Sequence, residues 1–160
     1  MAEDLMIAGE TKTEKYENLL PQIKGLLSGE SNRIANMANL CAALKTTFNW
    51  YWIGFYWVDG PDELVLGPFQ GPIACTRIKK GKGVCGTAWQ EQRVQIVPDV
   101  EAFPGHIACS AFSKSEIVLP VWLKDEVIGV LDIDSDTLDS FDAIDEKYLK
   151  KICEILVHTF

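Results

Sequence analysis

The side chains in this sequence best equipped for chemistry are its thiols and a small group of carboxylates. There are five cysteines, at positions 41, 75, 85, 109 and 153. Cys41 falls in the stripe Ile34, Met37, Ala38, Cys41, Leu44, Phe48, which repeats every three or four residues, and Cys153 lies beside the line Ile144, Tyr148, Ile152, Ile155. At helical spacing among apolar residues, these two read as packing. Cys75, Cys85 and Cys109 fall instead in the irregular middle of the chain. Free cysteine is among the most buried residue types, so packing stays open for each one taken singly. Three together point to nucleophilic or redox chemistry. His106-x-x-Cys109 has the spacing of a metal-ligand pair, but a structural zinc site needs a second tight pair, and Cys75 and Cys85 are too far apart to supply it. No metal site is therefore expected, and His106, beside Gly105, reads as a solvated loop residue.

The carboxylates form the complementary half of a site. With a period of two, Ile128, Val130, Asp132 and Asp134 share one strand face, which places two acids at the end of an apolar face. The bland alternative is a strand running out into solvent. Glu116, ahead of Val118 and Pro120 on the preceding strand, joins the pair if the hairpin register is odd-numbered. Carboxylates so grouped raise one another's pKa, which keeps one protonated near neutral pH and able to serve as an acid. The same group would hold an ammonium.

Helices and strands must position these residues. Thr13 can cap a helix carrying Tyr16, Leu19, Leu20, Ile23, Leu26 and Leu27, and Ser31 can cap the helix of Cys41. From Trp50 the period becomes two. Trp50, Trp52, Gly54 and Tyr56 fall on one face, with Tyr51, Ile53, Phe55 and Trp57 on the other. Asp59-Gly60-Pro61-Asp62 is a turn before a returning strand, Glu63 to Gly67. Further strands are expected over Ile73–Ile78 and Val94–Val97, with a helical turn over Val84–Gln90 between them. Asp99 to Ser115 reads as a loop, and loops of that length in a small domain are usually functional. Glu116–Leu123 and Val127–Asp134 form a hairpin, and Asp139-Ser140 caps a final helix. Helices at both ends of a run of strands predict an α+β domain with a mainly antiparallel sheet. Residues 1–12 are expected to be a flexible leader and 13–160 the domain.

A chain of 160 residues supports one well-cored domain. A net charge of −8, with only short basic clusters such as Lys79-Lys80 and Lys82, argues against nucleic acid. No apolar run approaches the ~20 residues that span a bilayer, and the acidic start is unlike a secretory signal. An odd number of cysteines argues against a secreted disulfide framework, so a cytoplasmic setting is expected.

Several segments together carry a family likeness. Asn49 to Tyr56, Gly71-Pro72-Ile73-Ala74-Cys75, Gly83-Val84-Cys85-Gly86, His106-Ile107-Ala108-Cys109, Ser115 to Val121 and Leu131-Asp132-Ile133-Asp134-Ser135 resemble the free methionine-R-sulfoxide reductases, which are single GAF domains. The resemblance implies reduction of free methionine-R-sulfoxide, with Cys109 as nucleophile and Cys75 as resolving partner. Cys85 matches the third cysteine of the family, an alternative resolver. It implies that Glu116, Asp132 and Asp134 bind the substrate amine and polarise the sulfoxide, with Glu116 or Asp134 as proton donor, and that Trp52 and Tyr56 wall the pocket. It implies no cofactor, thioredoxin as the recycling reductant, a homodimer, and a part in resisting oxidative stress. The rival readings are a GAF sensor module that binds a small ligand without turning it over, and a thiol redox switch. Sensor modules usually sit in longer signalling chains, and a domain ending with its own last helix at Phe160 favours the enzyme.

Overall fold

Capping residues set where the helices begin in the computed structural model, which describes residues 4–106 and 111–160. Thr11 accepts the backbone N–H of Glu14, and the Glu14 carboxylate accepts the N–H of Thr11, so α1 (Lys12–Leu27) starts on a reciprocal capping box. The expected cap at Thr13 gives way because the residue three further on is Tyr16, which offers no carboxylate. α2 (Arg33–Phe48) is capped by Asn32 rather than Ser31, and its Ile34 is exposed, outside the buried stripe of Met37, Leu40, Cys41 and Leu44. α2 ends at Asn49, whose left-handed φ of 55° turns the chain before the first strand.

The remaining elements are β1 (Trp52–Val58), β2 (Glu63–Gln70), β3 (Arg77–Lys79), α3 (Gly83–Glu91), β4 (Gln95–Val97), a 3-10 turn over Val100–Ala102, β5 (Ser115–Leu123), β6 (Glu126–Ser135) and α4 (Ala143–Val157). The strands form a single antiparallel sheet in the order β3-β2-β1-β6-β5-β4. One sheet face packs Ile53, Phe55, Ile117, Leu119, Leu131 and Ile133 against α1, α2 and α4. The opposite face packs Trp52, Tyr56, Val118 and Val130 with Val84, Cys85, Ala88 and Trp89 of α3. The α+β class is as expected.

Further expectations shift. Trp50 precedes β1 and stacks on Phe48 with centroids 4.3 Å apart, so it joins the helix-side core rather than the face of Trp52. The chain from Ile73 stays irregular until β3 begins at Arg77, and Ile73 is exposed. α4 is capped by Asp142, whose box partner is Asp145. Its buried line is Asp145, Tyr148, Leu149, Ile152, Cys153 and Leu156, while Ile144 is exposed. Asp145 tolerates full burial because Lys12 pairs with it and the Tyr16 hydroxyl donates to it at 2.8 Å, which ties α1 to α4. Ahead of α1, the N–H groups of Met6 and Ala8 donate to the side chains of Gln22 and Asn18.

The β5–β6 hairpin decides where the acids go. Its turn is Lys124-Asp125, with Lys124 at φ 54°, and pairing starts at Leu123 with Glu126 and Trp122 with Val127. A bulge follows: Val121 pairs with Gly129, leaving Ile128 as the extra residue. Beyond it Val118 faces Asp132 and Glu116 faces Asp134. Without the extra residue Glu116 would face Ile133, and its side chain would share a face with the helix-side core. The bulge also corrects the expected face of Ile128, which packs on the helix side while Val130 packs on the other.

Candidate active site

The face of the sheet covered by α3 opens into a pocket lined by Trp52 and Tyr56 of β1, Cys85 at the start of α3, Glu116 of β5, and Asp132 and Asp134 of β6. It encloses about 600 Å³, its mouth included. Trp52 and Tyr56 share a face because they stand four residues apart on one strand, and their rings stack with centroids 6.0 Å apart. The Trp52 indole crosses Gly54, where a Cβ would lie against that ring and 2.5 Å from the Phe69 Cβ. Only glycine leaves this room. Both aromatic polar tips reach the segment ahead of β3: Trp52 Nε1–H donates to the Pro72 carbonyl and the Tyr56 hydroxyl donates to the Cys75 carbonyl, each at 3.0 Å. One wall of the pocket therefore also holds the segment that carries Cys75.

The three acids lie on adjacent strands with little water to stabilise their charge. Glu116 and Asp132 are each 6% exposed, and Asp134 is half-buried. Burial, followed by the charges of Asp132 and Asp134, raises the pKa of Glu116 well above the usual range. Burial and then the Asp134 charge raise that of Asp132, partly offset by hydrogen bonds to Cys85 and Glu116. Burial lifts Asp134 to about 6 against the opposing hydrogen bond from the Ser113 hydroxyl. Among the described residues Asp132 Oδ1 is buried with no hydrogen-bond partner, and the Glu116 carboxyl and the Cys85 thiol lie beside the Asp132 carboxyl. The floor of the pocket thus holds its protons more tightly than exposed carboxyls would.

Of the three cysteines in the irregular middle of the chain, Cys85 is a free thiol whose pKa is raised by burial first and by the charges of Asp132 and Glu116 next. Cys75 is disulfide-bonded and packs beside the aromatic wall. Cys109 lies outside the described residues. The structure brings Cys85, Trp52, Tyr56, Glu116, Asp132 and Asp134 to one pocket and places Cys75 at its edge. Cys41 and Cys153 are buried in the helix-side core.

Sequence reasoning underrated three lining residues. His106 is half-buried in the pocket lining rather than solvated, and burial lowers its pKa against the pull of Glu101. Ser113 donates to Asp134, and Tyr51 lines the pocket. His106 and Ser113 both sit in the long loop, where length alone was a signal of function but no periodicity marked individual residues. Cys85, Glu116 and Asp132 also form a group able to coordinate a metal ion.

Comparison with known proteins places this geometry. Residues 36–158 match the GAF domain family. The chain is 68% identical to GAF domain-containing protein A of Dictyostelium discoideum, over 98% of this chain and 99% of that one. It is 49% identical to the free methionine-R-sulfoxide reductase of Escherichia coli, over 88% of this chain and 86% of that one. A crystal structure of free methionine-R-sulfoxide reductase from Neisseria meningitidis in complex with its substrate superposes with a TM-score of 0.96 at 49% identity, covering 98% of this chain and 95% of that one. The class is that of a GAF domain with its pocket on the α3 side of the sheet. Within that class, the chain belongs to the free methionine-R-sulfoxide reductase family, and it is an oxidoreductase.

Proposed function

We propose that this protein reduces free L-methionine-R-sulfoxide to methionine, with Cys109 as the attacking thiol and Cys75 as its resolving partner. The observation that carries the reading is the convergence of Glu116, Asp132 and Asp134 at the end of an aromatic-walled pocket whose wall is bonded to the Cys75 segment. Family membership supports the same substrate. The acids suit an α-ammonium, and Trp52 and Tyr56 suit the methyl-thio end.

Sulfoxide oxygen is a poor leaving group until it is protonated, so an acid must stand near the nucleophile. Glu116 or Asp134 fills that role, since both hold protons more tightly than ordinary carboxyls. The Cys109 sulfur bonds to the sulfoxide sulfur and its thiol proton is released. The protonated oxygen then moves from the methionine sulfur to the Cys109 sulfur as the bond between the two sulfurs breaks, so methionine departs and a sulfenic acid remains. The Cys75 thiol then attacks that sulfur, forming a disulfide and releasing water. The disulfide-bonded state of Cys75 supports this step. Cys85 is the alternative resolver. A dithiol of the thioredoxin type returns both thiols, and a homodimer in the cytoplasm completes the reading.

The test compares free methionine-R-sulfoxide with its N-acetylated and peptide-bound forms. An amide nitrogen carries no positive charge, so the acids would lose their partner and kcat/KM is expected to fall at least a hundredfold. Equal rates would sink the assignment of the acids to the ammonium. Formation of many methionines per subunit excludes both the ligand-binding sensor and the redox switch.

A further inference from the structure

We propose that the floor of the pocket is a binding site for a divalent metal ion of borderline softness, with zinc as its representative, held by Cys85, Glu116 and Asp132. These residues come from three elements, α3, β5 and β6, and all three are buried. One atom from each, the Cys85 sulfur and one carboxylate oxygen apiece, lies within 4.8 Å of the other two. The second observation is Asp132 Oδ1, a buried oxygen with no hydrogen-bond partner among the described residues, on a residue that is 6% exposed and lines the pocket. A buried acceptor without a partner is an available ligand.

The donor set selects the class of ion. Magnesium and calcium favour all-oxygen shells, whereas a thiolate beside two carboxylates suits zinc, cobalt(II) or a similar ion. Metal bonds of about 2.0–2.3 Å in a tetrahedral arrangement need ligand atoms roughly 3.3–3.8 Å apart. The fourth position faces the pocket and goes to water. Binding involves no redox change: the Cys85 S–H proton leaves to solvent, the sulfur–metal bond forms, and protons held by the carboxyls leave with it. Ligands scattered over positions 85, 116 and 132 have no tight spacing, so no sequence pattern reveals them. Because the same acids are assigned above to the substrate ammonium, metal and free methionine sulfoxide should exclude each other. That consequence rests on the proposed function, whereas the metal site itself does not.

The experiment uses the full-length protein with Cys75 in its disulfide, so that Cys85 is the free thiol facing the pocket. Titration with Co(II) is expected to give a thiolate-to-cobalt charge-transfer band in the near ultraviolet, saturating at one ion per subunit and abolished by Zn(II). Cys85→Ser and Cys85→Ala should both lose the band. Glu116→Gln combined with Asp132→Asn should weaken Co(II) binding at least tenfold while the thiol remains. Absence of a band on the wild-type protein, or its survival in both Cys85 variants, overturns the site. Should the band form as predicted yet resist excess free methionine-R-sulfoxide, the metal site stands and the assignment of these acids to the substrate fails.

Discussion

At Asp134, removal from water turns an ordinary carboxyl into one with a measurable effect on stability. Its pKa rises from an ordinary 3.8 to about 6, with burial as the leading cause. Between those values the native state keeps a proton that the unfolded chain has released. Stability from this group is therefore present below pH 4 and is lost as pH rises through 6. At about 1.4 kcal/mol per pH unit, the loss is up to about 3 kcal/mol. Asp134→Asn should flatten that part of the curve, so that thermal melts at pH 4.5 and pH 7 differ less in the variant than in the wild type; an unchanged difference would contradict the raised pKa. The division of labour proposed for the thiols is one that two variants would expose. Cys109→Ser should abolish methionine formation, because a hydroxyl without a strong base is a far poorer nucleophile. Cys75→Ser should still yield about one methionine per subunit and then stall as a sulfenic acid when a thioredoxin is the reductant. If Cys85 resolves in its place, the stall becomes clean only in the Cys75→Ser, Cys85→Ser double variant. Full turnover by Cys109→Ser, or no first equivalent from the folded double variant, would reverse these assignments.

Between residue and fold stands the β5–β6 hairpin, whose bulge at Ile128 carries Glu116 and Asp134 to the same face. Deleting Ile128 sets two pairings against each other, since β6 must keep Asp134 opposite Trp52 of β1 while its partner β5 moves by one residue. Activity is expected to fall more than a hundredfold, whereas Ile128→Val, which keeps the count, should cost only about 0.5–1.5 kcal/mol in denaturant unfolding. This element also marks what could be read from the sequence. Both strands and the side-by-side acids of β6 were legible from their period of two. The meeting of Glu116 with Asp134 was legible only as a condition on register, because one inserted residue in a polar turn leaves no hydrophobic signature. Helix stripes were legible for the same reason as the strands, but the cap of α4 was not: Asp139, Ser140 and Asp142 are all competent caps, and the box with Asp145 decides among them. The irregular path from Ile73 to Thr76 is set by hydrogen bonds to Trp52, Tyr56 and Leu66 backbone, which are long-range in sequence. Sequence periodicity cannot see them.

Across the whole molecule the sheet is a partition. Its helix-covered side carries the larger apolar core, and its other side carries the pocket. Cys41 and Cys153 fall on the helix side, and burial pushes both thiols up to about 12. Cys75 and Cys85 fall on the pocket side. A sheet without side-chain chemistry passing through it keeps these two populations chemically separate. The thiols at 41 and 153 thus serve as a built-in gauge of integrity: they are alkylated only when the sheet and its helices part. In a reducing buffer that supports turnover, their labelling by iodoacetamide should follow global unfolding and rise with denaturant, while substrate leaves it unchanged or slower. Labelling of Cys41 in the native protein at the rate of an exposed thiol would show that the partition leaks. Read this way, a protein built to consume an oxidation product also carries its own record of whether it stayed folded while doing so.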